Sequence, residues 1–535
     1  MRSRIAPPTR SAICSLALVL AGCTSAGQAS TAGGAPGAPG NARAGAAGYG
    51  PADAGADARR DATLGAGAGA TGSSTEGSAD ATAEATAGGA DSSRAGSGCD
   101  AGAQPFVGGV SPTGRHLVDQ CGAPWLFMGD SPQALMAHLL PGDVDGYFAD
   151  RQARGFNAAW VNAVVDAYTA GNADGRTDDG IAPFTSPSSV TDPSQYDVTT
   201  PNEAYFQRLD HAVASAAAHG ITVLLDPIET GGWLATLKAN GTAKAQQYGA
   251  WIGARYAGAP NVMWLNGNDF CSNDYSPSDD PYVLAVARGI AGAAPRQLQT
   301  VEFCFNVSTS SDDATWTASG LIQLDAVYSE APTYAETLVA YGRPGGLVPF
   351  LVESSYEGEN NAQPNPATPS DLRKQEWWTL LSGAAGQFYA SHESWRFDPG
   401  WQAAIDTVGA GQVTYVQAFF APRAWWTLVP DQAHAFVTAG FGTFSSTVGD
   451  GPSNDYATAA LGGDGRLGVV YVPTSRTLTV DATRLAGSAL ARWYDPTSGA
   501  YRMLGNVPNT GPAQLTTPGN NAAGDPDWVL VLEVQ

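Results

Sequence analysis

Two stretches of the chain end in residues suited to acid–base chemistry. Asn261 to Phe270 opens with the apolar run Asn-Val-Met-Trp-Leu, breaks at Gly267 and delivers Asn268-Asp269. Val348 to Val352 runs apolar into Glu353, followed by Ser-Ser-Tyr-Glu-Gly. Short uninterrupted apolar runs read as parallel strands buried on both faces. In a ring of parallel strands wrapped by helices, the carboxyl ends of the strands form the reactive face. Two carboxylates brought to one cavity by different strands suit cleavage of a glycosidic bond. One protonates the leaving oxygen, and the other attacks the sugar or activates water. Taken singly, either residue reads more simply as the cap of a following helix.

The elements that must position this pair alternate regularly. Strands are expected at Pro124 to Gly129, Phe156 to Val165, Ile221 to Asp226, Asn261 to Leu265, Gln297 to Phe303, Leu324 to Tyr328, Val348 to Val352 and Gly386 to Ala390. Helical periodicity lies between most of them, at Asp143 to Arg154, Glu203 to His219, Thr242 to Tyr256, Pro281 to Ala293, Tyr334 to Tyr341 and Ser370 to Leu381. A further helix is expected at Thr414 to Leu428. Eight strand–helix units predict a (β/α)8 TIM barrel. A doubly wound open sheet would account neither for eight units nor for polar residues at every strand end. Those ends carry Asp130, Asn162, Asp166, Asp226, Glu229, Asn268, Asp269, Glu302, Glu330, Glu353, His392, Glu393 and Trp395, a polar ring with aromatics that suits a sugar. A hairpin, Gln104 to Val110 and Arg115 to Val118, precedes the first strand. After Pro430 the pattern turns to short strands and turns, predicting a small antiparallel β-sandwich over 433–535 behind a barrel over 99–432.

The 535 residues carry a net charge of -23, which opposes nucleic acid as a partner. Arg2, Arg4 and Arg10 precede an apolar stretch, Ser11 to Ala21, too short to span a membrane, which runs into Leu20-Ala21-Gly22-Cys23. This pattern is similar to a bacterial lipoprotein signal. It implies lipidation at Cys23 and an exported protein held at the outer membrane or cell surface by an N-terminal anchor, residues 1–23 being the signal. Residues 24–98, almost wholly Ala, Gly, Ser, Thr and scattered acids, cannot bury enough apolar area to order themselves and are expected to form a linker. Of six cysteines, Cys14 leaves with the signal and Cys23 takes lipid. Cys99, Cys121, Cys271 and Cys304 remain, in an oxidising setting where an even number suggests two disulfides. Three pairings exist; proximity favours Cys99 with Cys121, and the strand reading favours Cys271 with Cys304. No zinc-type spacing is present, and the loop Asn172 to Gly180 departs from calcium-loop spacing, so no metal or cofactor is expected. The sequence contains no nucleophile elbow, zincin helix or phosphate-binding loop.

Several segments, in order, resemble one family. They are Gly114 to Asp130, Arg154-Gly-Phe-Asn157, Tyr248 to Tyr256, Asn261 to Asp269, Glu353-Ser-Ser-Tyr-Glu357 and Trp425 to Pro430. Together they look like the apiosidase-like glycoside hydrolases, whose barrel is followed by a small β domain labelled collagen-binding; Ala491 to Gly499 is similar to that domain's signature. The family's Gly-Gly-Asp after strand four is matched by Gly267-Asn268-Asp269, and its Gly-Glu-Pro-x-Tyr-Glu after strand seven by Val352-Glu353-Ser-Ser-Tyr356-Glu357. In the large retaining clan of barrel glycosidases the acid/base follows strand four directly after an Asn and the nucleophile follows strand seven. The resemblance thus implies Asp269 as acid/base, with Asp where that clan usually has Glu, and Glu353 as nucleophile. The expected reaction is retaining hydrolysis of a side-chain sugar on a plant-type or other complex polysaccharide, by a monomer. Asp130, Asn162, Asp226, Asn268, Glu357, His392 and Trp395 are the expected sugar contacts. Helix capping for the Asp residues and rim packing for His392 and Trp395 are the alternatives. Glu357 is a second candidate nucleophile. A barrel that only binds carbohydrate or matrix is the competing function.

Overall fold

A computed structural model describes residues 104–270, 276, 278–303, 307–360 and 365–535. The expected signal with Cys23, the linker, and Cys99, Cys271 and Cys304 lie outside the described residues, as does one partner or more of each expected disulfide. Cys121 sits in the turn after the second strand.

The expected hairpin is a three-stranded antiparallel sheet of β1 (Val107–Val110), β2 (Leu117–Asp119) and β3 (Pro124–Trp125). All eight barrel strands follow: β4 (Phe127–Asp130), β5 (Ala158–Asn162), β6 (Thr222–Asp226), β7 (Val262–Leu265) and β8 (Gln299–Thr300), then, past β9 (Val307–Thr309), β10 (Leu324–Ser329), β11 (Val348–Glu353) and β12 (Gly386–Tyr389). They lie in the order β8-β7-β6-β5-β4-β12-β11-β10-β9, every pair parallel except β10 with β9. The sheet curls until its ends meet: Gln323 N donates to Gln299 O at 3.0 Å, and Thr300 Oγ1 donates to Leu324 O at 2.9 Å. Each of the eight is buried along its whole length, which is why it reads as an apolar run. Phe127, Trp160, Leu224, Met263, Leu265, Phe350 and Phe388 fill the interior.

Helices occupy the expected intervals, with two differences of known cause. Helix Thr230–Tyr256 begins a dozen residues before the expected Thr242 because two segments abut at Gly241, whose φ of 76° and ψ of 164° break the helical path. The helix expected at Thr414 to Leu428 is Val408–Phe420; Pro422 follows at once and disfavours continuation. Leu428 joins a strand instead.

The C-terminal region is a sandwich of two antiparallel sheets. The larger holds β13 (Leu428–Pro430), β15 (Thr458–Gly462), β16 (Leu467–Val472), β18 (Ala489–Tyr494), β19 (Tyr501–Val507) and β21 (Trp528–Val534), in the order β13-β15-β16-β21-β18-β19. The smaller holds β14 (Val437–Ala439), β17 (Thr477–Asp481) and β20 (Pro512–Thr516). Val470, Val472, Leu478, Val480, Trp493, Leu530 and Leu532 form the core between them. The other face of the larger sheet packs on helix Pro369–Leu381 of the barrel, and the described residues fall in one compact unit. Trp377 stacks on Tyr471 at 6.2 Å, and buried Arg373 donates to both oxygens of buried Asp527 at 3.1 and 2.9 Å.

Candidate active site

Strand β7 ends in a turn that only certain residues can make. Gly267 has φ +84°, and a Cβ there would lie 2.6 Å from Thr230 side-chain atoms, so glycine is required. Asp269 follows with φ +43°, a left-handed conformation uncommon for residues other than glycine. Its amide donates to Glu302 Oε2 at 3.2 Å, and Tyr168 Oη donates to its Oδ2 at 2.8 Å. Tyr168 sits in a short 3-10 turn, Ala167–Thr169, and its amide donates to Asp166 Oδ1 at 2.9 Å. Beneath that turn, fully buried Glu229 accepts from Asn162 Nδ2 at 3.0 Å, from Asp166 N at 3.4 Å and from Thr169 Oγ1. The floor of the barrel thereby fixes the loop that fixes Asp269.

Glu353 is the last residue of β11, and 7% of it is exposed. The hydroxyls of Tyr328, near the end of β10, and Tyr356 hydrogen-bond its carboxylate. Gln133 Nε2 in turn donates to Tyr356 Oη at 2.7 Å. Asp269 and Glu353 open into one cleft of about 320 Å³, walled by Tyr168, Thr169, Tyr328 and Tyr356 and by Trp395. The Trp395 indole donates to Glu359 Oε1 at 2.7 Å and meets the Tyr356 ring edge-on at 6.2 Å. Glu359 also lines the cleft. An aromatic face beside paired carboxyls is a surface on which a sugar ring can stack while its hydroxyls bond at the edges.

The carboxyls of this site lift one another. Burial, opposed by the Tyr168 hydroxyl and reinforced by Glu330, raises Asp269 to about 6. Burial first, and then the charge of Asp269, pushes Glu353 well above the ordinary glutamate range, while the Tyr328 and Tyr356 hydroxyls pull it down. Fully buried Glu302 is raised by burial and by the charges of Glu353 and Asp269. Near neutral pH such a group holds protons among its members. Protonating Asp269 removes the charge that weighs most on Glu353, and the Tyr328 and Tyr356 hydroxyls favour its ionised form.

The remaining candidates divide by depth. Asn162, Asp226 and Asn268 lie in a buried layer beneath the cleft. Asn162 accepts from Trp160 Nε1 at 2.8 Å, and Asp226 Oδ1 accepts from the amides of Ile228 and Gly267 at 3.0 and 3.3 Å. Asp130 is fully buried and accepts from Ser131 N, Tyr147 Oη, Arg151 Nη1 and Ser394 Oγ, so its carboxylate is committed to the protein. Glu357 accepts from Tyr389 Oη at 2.6 Å and from Gly409 N at 3.3 Å, outside the set of cleft-lining residues. His392 meets Glu359 Oε1 at 2.6 Å, one contact removed from the cleft wall. In the loop Asn172 to Gly180, Asp174 pairs with Arg176, Asp178 with His138 and Asp179 with Arg208. Among the described residues no group of three His, Cys, Asp or Glu is placed to hold a metal, and no helix is long and apolar enough to cross a membrane. Gln133, Tyr168, Tyr328 and Glu359 escape the sequence reading. Tyr328 alone had a signal, as the last residue of an expected strand.

Solved structures of glycoside hydrolases share this curled eight-stranded parallel sheet. One described as a glycoside hydrolase superposes with a TM-score of 0.67 at 19% identity, over 81% of this chain and 97% of that one. A family 5 glycoside hydrolase from Bacteroides vulgatus gives 0.67 at 17% identity, over 81% and 95%. The chain belongs to the apiosidase-like family: residues 111–427 match its catalytic-domain model. Residues 445–533 match the model described as "Putative collagen-binding domain of a collagenase". No curated protein matches the chain.

Proposed function

We propose that this protein is a retaining glycoside hydrolase that removes sugars from the side chains of a complex polysaccharide, with Asp269 as general acid/base and Glu353 as nucleophile. The observation that carries the reading is that two carboxyls from different strands, β7 and β11, meet in one cleft beside Trp395. Glu353 attacks the anomeric carbon as Asp269 gives its proton to the departing oxygen, forming a glycosyl-enzyme. Asp269, now ionised, takes a proton from water as the water oxygen attacks the anomeric carbon and displaces the Glu353 carboxylate, releasing the sugar with its anomeric configuration kept. As Glu353 becomes an ester its charge disappears, so the acidity of Asp269 shifts in the direction the second step requires. The Tyr328 and Tyr356 hydroxyls orient the nucleophile. The lipid anchor at Cys23 and the linker would hold this cleft away from a membrane, exposed to polymer substrates.

Screening aryl glycosides and plant polysaccharides, then following the first-formed anomer by proton NMR, tests this. Retention together with loss of turnover in Glu353→Gln is expected. Inversion, or an active Glu353→Gln, refutes the assignment.

A further inference from the structure

Glu302 has no part in the two-carboxyl reaction just proposed, yet it stands directly behind it. It follows β8, is fully buried and is absent from the cleft wall. Its Oε2 accepts the main-chain N–H of Asp269, the residue in the left-handed conformation, at 3.2 Å. Its Oε1 is buried with no hydrogen-bond partner among the described residues. The groups whose charges reach it are Asp226 at the end of β6, Asp269 beyond β7 and Glu353 at the end of β11, and its own charge would reach the Tyr328 and Tyr356 hydroxyls. None of these is a cation, and among the described residues no basic side chain lines the cleft above. A buried carboxylate keeps its charge only against a cation or several donors. Among the described residues a single amide faces it, while three other carboxyls oppose ionisation.

We propose that Glu302 works as a neutral carboxylic acid, a positioning residue that pins the Asp269 backbone while adding no charge beside Glu353. The second half of this role matters as much as the first. An ionised Glu302 would drive protons onto Glu353 and remove the nucleophile. Held neutral, it supplies the acceptor that the turn needs and leaves the single negative charge of the site to Glu353. The kinetic part rests on the retaining reading above; the protonation state does not.

Two substitutions and one spectroscopic measurement separate the possibilities. Glu302→Gln keeps a carbonyl acceptor for the Asp269 amide and carries no charge. It is expected to retain kcat within a few-fold on an aryl glycoside that the wild type hydrolyses, with an unmoved pH profile. Glu302→Leu removes the acceptor and is expected to lower kcat by about a hundredfold, the scale of a small misplacement of a reacting group, with KM little changed. An infrared difference spectrum, wild type minus Glu302→Gln at pH 7, should show loss of a protonated-carboxyl carbonyl band. Loss of carboxylate bands instead, or a Glu302→Gln variant as impaired as Glu302→Leu or displaced in pH, overturns the proposal. Glu353→Gln serves as the control: if it remains active, the retaining reading falls while the infrared result still decides the state of Glu302.

Discussion

Replacing Asp226 by Asn should stabilise the protein by an amount that grows with pH. Asp226 is fully buried; its Oδ1 accepts two amides and its Oδ2 has no hydrogen-bond partner among the described residues. Burial raises it from 3.8 to about 8. In the unfolded chain the same group ionises near its ordinary value, so between about pH 4 and 8 the folded state holds a proton that the unfolded state has released. Folding stability must therefore fall as pH rises across that window. At about 1.36 kcal/mol per pH unit, the three units from pH 4 to 7 cost the wild type about 4 kcal/mol through this residue, as an upper figure. Asn has the shape of the protonated acid, keeps the acceptor for Ile228 and Gly267, and does not titrate. The variant and the wild type should therefore melt at similar temperatures at pH 4, and the variant should melt several degrees higher at pH 7. Thermal unfolding at half-unit pH steps provides the test. A gap in Tm that stays constant from pH 4 to 7, or narrows, would refute a protonated Asp226.

The other predictions concern the cleft and its supports. With Asp269 acting as acid under the proposed mechanism, activity should fall as pH rises through about 6, and Tyr168→Phe should move that limb upward, since the lost hydroxyl holds Asp269 down; a kcat/KM profile shows either. Asp269→Asn should spare glycosides with activated leaving groups in the first step while losing natural ones, and equal rates on both would contradict its role as acid. Gly231→Ala would set a Cβ 1.9 Å from the Tyr168 ring, and the overpacking should cost about 1 to 3 kcal/mol and lower kcat, as urea unfolding and turnover measurements will show. Peptide mapping without reduction should recover Cys271 joined to Cys304, because Phe270 and Phe303, the residues just before them, stack at 5.9 Å.

What the sequence makes legible follows from how each feature is encoded. Barrel strands are buried on both faces, so β4 to β7 and β10 to β12 announce themselves as apolar runs ending in polar residues. Even β8, with two residues in register, is marked by the run Gln297 to Phe303. Asp269 and Glu353 are readable because a strand end fixes its next residue in space. The duties of Asp130 and Glu357 are not, since each is decided by distant partners: Arg151 and Ser394 for one, Tyr389 and Gly409 for the other. Tyr168, Gln133 and Glu359 reach the cleft from loops, where neither a period of two nor one of 3.6 foretells direction. Glu302 stood in the ring of strand ends, but its role depends on the backbone angle of Asp269, which local composition does not reveal.

The helix Pro369–Leu381 gives one face to the barrel and the other to the C-terminal sheet, through Trp377 against Tyr471 and Arg373 against Asp527. Chimeras joining this barrel to the β region of a relative should aggregate unless the acceptor for Arg373 and the aromatic opposite Trp377 travel with the graft. Removal of one member of a buried ion pair commonly costs about 3 to 5 kcal/mol, a large share of a typical stability. The two halves are thus bound to inherit changes together, and a substitution at either side of this seam invites a compensating one across it.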